Sequence, residues 1–162
     1  MIQDIILDLS GMFVLDSHCD TPSQILRLRD LSVDNHHSHV DFPKLKRGGV
    51  DGAFFALYVP GSMNTEEAFA HACVLLEGVE KSVAENKSKA AFAYSVSDAL
   101  RNKSEGLFSV FLGLENGSPI GEDLNRLKYF YDRGVRYVTL CHSSDNQICD
   151  SCAPKEKRWG GL

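Results

Sequence analysis

The segment Asp16-Ser17-His18-Cys19-Asp20 places an imidazole and a carboxylate two residues apart. In extended backbone, side chains two apart share a face, so His18 and Asp20 can converge on one cation while Cys19 points away. A nitrogen and an oxygen donor of this kind suit zinc, manganese or iron. Two more polar residues stand directly after apolar runs: Glu115 after Leu107 to Leu114, and His142 after Val135 to Leu140 and Cys141. Glu115 reads as a metal ligand, a general base or a solvated rim carboxylate. His142 reads as a substrate contact or as a structural histidine satisfied by Ser143 or Asp145.

The chain carries its own decoy. His39-Val40-Asp41 repeats the His-x-Asp spacing, but it follows Asp34-Asn35-His36-His37-Ser38 with no strand before it. That context predicts a solvated loop, in which a histidine tract takes up metal only adventitiously. Cys149-Asp150-Ser151-Cys152 has the spacing of half a zinc site or of a redox pair. No second ligand pair follows it, so a loop bearing two thiols is the expectation.

These residues need elements to hold them. Met12 to Leu15 is an apolar run predicting a strand, with a functional turn from Asp16 to Asp20 and a helix opening at Thr21-Pro22, where proline is pre-organised. Asp51 to Pro60 is nearly all apolar, as for a parallel strand buried on both faces. Asn64 and Glu67 predict a capped helix whose apolar positions, Phe69, Ala72, Cys73, Leu76, Val79 and Val83, recur at helical spacing and end before Asn86. Ala90 to Tyr94 predicts a further strand and Ser97 to Leu100 a short helix. A helix from about Glu122 to Arg133 is expected to turn Leu124, Leu127 and Tyr131 to one face and to stop at Gly134. Strand and helix alternate, which specifies α/β architecture with a parallel sheet, open or closed into a barrel. In such sheets ligands gather at the carboxyl ends of the strands, where His18, Asp20, Glu115 and His142 fall.

Composition narrows the partners. A net charge of -5 without a Lys/Arg stripe argues against nucleic acid. The opening Met1 to Asp8 lacks a basic leader and is interrupted by acids, and no apolar run reaches membrane-spanning length, so a soluble, cytoplasmic protein is expected. Five cysteines, an odd number, form no evident disulfide framework. No repeat, linker or composition shift divides residues 1–162, which read as one domain.

Taken in order, the segments resemble the membrane (renal) dipeptidase family of zinc peptidases. The resemblance rests on Asp16 to Pro22, on His39 to Leu45 leading into Gly48 to Phe55, and on Gly113-Leu114-Glu115-Asn116-Gly117. It continues through Gly134 to His142 with Asn146 and ends in Arg158-Trp159-Gly160-Gly161-Leu162. It implies a (β/α)8 barrel with two zinc ions and dipeptide substrates. By the same resemblance His18 and Asp20 bind the first zinc, Glu115 is the catalytic carboxylate bridging both, and His142 lines the substrate pocket. Family members continue past Trp-Gly-Gly-Leu to two further histidines for the second zinc. A barrel of this type takes about 250 residues, so residues 1–162 are expected to form the N-terminal part of one, truncated at the C-terminus. Two other readings stand beside a dipeptidase portion: a non-catalytic half-barrel that binds one metal or forms a homo-oligomer, and another metal-dependent amidohydrolase acting on a non-peptide amide or ester. The last would commonly show His-x-His where this chain has Asp20.

Overall fold

The computed structural model describes residues 11–27, 29–156 and 158. Met1 to Asp8 and the closing Trp159-Gly160-Gly161-Leu162 lie outside the described residues. Ten elements follow one another: β1 (Leu15–Cys19), α1 (Thr21–Ile25), α2 (Phe42–Arg47), β2 (Gly52–Tyr58), α3 (Thr65–Glu85), β3 (Ala90–Phe92), α4 (Val96–Ser104), β4 (Phe108–Glu115), α5 (Leu124–Asp132) and β5 (Val135–Thr139).

All four strand pairings are parallel. The sheet runs β1-β2-β4, and β4 is shared beyond that: β3 pairs with Phe108 to Val110 and β5 with Leu112 to Glu115. This explains why β3 stops at Phe92, short of the expected Tyr94, since the second half of β4's edge belongs to β5. The alternation read from the sequence is therefore an α/β arrangement with a parallel sheet, as in part of a TIM-like barrel.

Period two along β4 divides its functions. Val110, Leu112 and Leu114 face the main core with Phe55, Leu57 and the helix side chains Leu75, Leu76 and Val79. The alternate residues Phe111, Gly113 and Glu115 face the other side, where Phe111 stacks on Phe54 with ring centroids 4.9 Å apart. The outer helix α3 starts in the expected capping box: the Asn64 side chain accepts from the Glu66 and Glu67 amides, and Glu67 reaches back to the Asn64 amide. Its buried stripe is Ala68, Ala72, Leu75, Leu76, Val79 and Val83, and Asn86 ends it.

Three expectations change. The first strand begins at Leu15, not Met12, because pairing with β2 starts at Leu15 opposite Gly52 and Asp16 opposite Ala53; His18 thus lies on the strand rather than in a turn. In α5, capped by Asp123 and stopped by Gly134 at φ +103°, the buried side chain is Phe130, whereas Leu124, Leu127 and Tyr131 are exposed. The stripe read as the core face looks outward because Phe130 meets Phe69 of α3, and that contact sets the helix's rotation. Asp41 is not part of a solvated loop. It is 1% exposed, caps α2 by accepting from the Lys44 amide at 2.8 Å, and pairs with the Lys44 ammonium. The neighbouring His36, His37 and His39 are exposed, as expected of the tract.

Candidate metal centre

His18 is delivered by the last turn of pleat in β1. Its own amide donates to the Asp16 carboxylate at 3.0 Å instead of to a neighbouring strand, where the register with β2 is irregular. Alternation sends Cys19 the other way, into the core, against the Thr21 hydroxyl at 2.9 Å. Burial pushes the Cys19 thiol up, which keeps it protonated and out of the chemistry. Asp20 precedes α1 at the cap position but makes no side-chain cap, so its carboxylate is left to face His18. Glu115 is the final residue of β4 and is 9% exposed.

These three meet. His18 Nε2 lies 3.0 Å from Glu115 Oε2 and 3.6 Å from Asp20 Oδ1. One donor atom from each of His18, Asp20 and Glu115 falls within 4.8 Å of the others, a metal-capable group among the described residues. The other Glu115 oxygen, Oε1, faces His142 Nε2 at 3.6 Å, so the carboxylate has a histidine on each side. His142 stands edge-on to the Tyr58 ring and has its Nδ1 3.2 Å from the Ser143 hydroxyl. Ser143 is therefore the partner of His142; Asp145 instead accepts from the Ser151 amide at 2.6 Å.

Two positions that sequence reasoning passed over complete the site. Tyr137 crosses the sheet from β5 and sets its hydroxyl 2.9 Å from His18 Nδ1. Burial raises its phenol first, and the negative charges of Glu115, Asp20 and Asp16 add to this, to about 12. Burial and the three carboxylates thus both disfavour a phenolate at this position. Asn116, next to Glu115, has φ +79° and ties the strand ends together: its Nδ2 donates to the Val59 carbonyl at 2.9 Å, and its amide donates to the Thr139 hydroxyl at 2.7 Å. Asn146 donates to Asn116 Oδ1 at 2.9 Å and to the Leu140 carbonyl at 2.6 Å. A signal for Tyr137 existed in the register, which sets it opposite Gly113, the one residue of β4 without a side chain to obstruct it.

The remaining sequence candidates stay apart from this group. His39 lines a cavity of about 370 Å³ with Cys19, Asp20 and Arg27, but it is not among the converging donors. Cys149 and Cys152 do not act as a pair: Cys152 is exposed, while Cys149 is buried. Burial first, then a hydrogen bond to Cys141, raises Cys149 to about 11. A cavity of about 440 Å³, lined by Phe42, Val50 and Phe108, sits at the opposite, amino ends of the strands.

A family model described as membrane dipeptidase, peptidase family M19, matches residues 7–162. The chain belongs to this family. Its curated relatives include the dipeptidase aclJ of Aspergillus oryzae, 30% identical over 148 residues, an alignment covering 86% of this chain and 35% of that protein. Among solved structures, the probable dipeptidase PvdM from Pseudomonas aeruginosa superposes with a TM-score of 0.79 at 24% identity, over 88% of this chain and 38% of that one. A metallo peptidase from Rhodobacter sphaeroides, solved with a phosphinate mimic of the dipeptide L-Ala-D-Ala, gives a TM-score of 0.79 at 20% identity over 85% and 48% of the two chains. The chain thus spans between about a third and a half of these relatives. Membership in a metallopeptidase family implies a metal, and the nitrogen and oxygen donors of His18, Asp20 and Glu115 fit one. Among the described residues no helix is long and apolar enough to cross a membrane.

Proposed function

We propose that this chain furnishes the first metal site of a zinc-dependent dipeptidase, in which residues 1–162 form the N-terminal portion of one barrel domain. The observation that carries the reading is the convergence of His18, Asp20 and Glu115 at the carboxyl ends of β1 and β4, with His142 on the far side of the same carboxylate. His18, Asp20 and Glu115 would hold the metal, His18 through a ring nitrogen and the two acids through carboxylate oxygens. A metal held there would supply Lewis acidity toward the peptide carbonyl and activate a water near neutral pH. The chain's own part is to fix these groups. Glu115 lies between two histidines, nearly shielded from solvent, and its charge is undiminished by competing Lys or Arg partners within ion-pair reach among the described residues. His142, half exposed and braced by Ser143 and Tyr58, turns Nε2 toward Glu115 Oε1 at 3.6 Å, on the side where a dipeptide would be bound.

The test measures bound metal and dipeptide turnover for the 162-residue chain and for the protein carried to the end of its natural reading frame. The proposal expects zinc and turnover in the longer form, with both lost in His18→Ala and turnover lost in Glu115→Gln while the fold is retained. Undiminished turnover in either variant would overturn the assignment. Turnover by the short chain alone would mean that a second copy supplies the missing ligands.

A further inference from the structure

The described molecule offers few groups near the centre that the proposed chemistry leaves unused, and Tyr137 is the most constrained of them. Its ring lies across the backbone of β4 and against Phe54 of β2, centroids 5.0 Å apart, before the hydroxyl reaches His18 on β1. Gly113 makes this path possible. A Cβ at position 113 would come within 2.1 Å of Tyr137 Cζ, closer than any side chain tolerates. The strand order β1-β2-β4-β5 therefore has a seat cut in it for one phenol, and the seat aims that phenol at a ring nitrogen of the candidate metal ligand.

The nitrogen concerned is the one that faces away from the carboxylates. His18 Nε2 is 3.0 Å from Glu115, and in the tautomer that donates there Nδ1 is an acceptor for the Tyr137 hydroxyl. With a cation on Nε2 the pattern reverses: Nε2 is bare, Nδ1 carries the proton, and Tyr137 must accept. A hydroxyl serves both states by rotating its proton, whereas a carboxylate or a carbonyl serves only the second.

We propose that Tyr137 is a positioning residue for the metal centre, a bifunctional hydrogen-bond partner that holds His18 oriented in both its metal-free and metal-bound tautomers. In passing between the two tautomers the imidazole releases the Nε2 proton to water and takes one from water at Nδ1, and Tyr137 keeps its own proton. The inference rests on His18 being a ligand, as proposed above. It assigns to the β5 strand, which contributes no ligand of its own, a part in metal retention.

The experiment is a zinc titration against a chromophoric chelator, using the protein carried to the end of its natural reading frame, as wild type, His18→Ala, Tyr137→Phe and Gly113→Ala. Tyr137→Phe keeps the ring and its packing, and it is expected to weaken zinc roughly 10- to 100-fold, the range for losing an outer hydrogen bond to a ligating histidine. Gly113→Ala should produce a similar loss by displacing the ring, with no further loss when combined with Tyr137→Phe. Long-range ¹⁵N–¹H spectra of wild type should show the His18 proton moving from Nε2 to Nδ1 as zinc is added. Wild-type affinity in Tyr137→Phe, with His18→Ala still unable to bind, would overturn this inference alone. Unchanged zinc affinity in His18→Ala would overturn it together with the metal assignment beneath it.

Discussion

Replacing Asn146 with alanine removes the fastening between the β4 and β5 ends without touching a proposed ligand. Asn146 is 8% exposed and its side chain makes four hydrogen bonds: from Nδ2 to Asn116 Oδ1 and to the Leu140 carbonyl, and to Oδ1 from the amides of Ile148 and Cys149. The two acceptors keep another donor each, since Leu140 also receives the Gly117 amide and Asn116 Oδ1 the Ser118 amide. Ile148 and Cys149 lose the acceptor that Asn146 provides. Two amides stranded at about 1–3 kcal/mol each, less some relief by entering water, give a loss of about 2–4 kcal/mol. For a chain of this size that lowers the melting temperature by roughly 5–15 °C. Urea denaturation of the metal-free protein measures it, and an unchanged slope with denaturant would show that the change lies in the native state. Asn146→Asp should be no better than alanine, because it sets a carboxylate oxygen against Asn116 Oδ1 at 2.9 Å. A shift under about 0.5 kcal/mol in Asn146→Ala would refute the view that this network holds the strand ends.

Other outcomes follow from the same geometry. Asn64→Ala should cost about 1 kcal/mol by stripping the caps from the Glu66 and Glu67 amides, read by thermal melting. At Asp41, burial pushes the carboxyl up but is outweighed by hydrogen bonds from Lys44 and the Asn35 amide, so its folded value is lowered. Its contribution to stability is then complete above the unfolded value of about 3.9 and is lost as pH falls through the folded one; Asp41→Asn should flatten the acid limb of a stability-versus-pH curve below pH 4. Brief alkylation at pH 7.5 followed by peptide mass spectrometry should label exposed Cys152 well before Cys19 and Cys149, whose thiols burial holds protonated. His39→Ala should leave the zinc content of the protein unchanged, because His39 lies outside the converging donors.

What the sequence made legible was the local part of the site. His18, Asp20, Glu115 and His142 stand out because apolar runs end beside them, and alternation alone separates His18 from Cys19. The helix α3 was legible for the same reason, its cap and its stripe being short-range patterns. What depends on register or on rotation was not. Nothing within ten residues of Tyr137 says that it will lie over Gly113, and the outward turn of Leu127 and Tyr131 is decided by Phe130 meeting Phe69 across from another helix. Asp41 was misread because the polar tract before it masked a cap for the short helix after it, although an aspartate ahead of a proline-opened helix is a start signal in its own right.

The spacing of the converging residues also has a consequence for how the protein is made. His18 and Glu115 are 97 positions apart in the chain. At about 5–20 residues per second, a ribosome takes roughly 5–20 s to travel that distance. During that interval the nascent chain displays an imidazole and a carboxylate that together grip a cation weakly, and the parallel sheet that brings Glu115 to them has not yet formed. On the proposed assignment, metal capture would wait until β4 has paired with β2, so that loading the ion would follow formation of this part of the sheet rather than precede it.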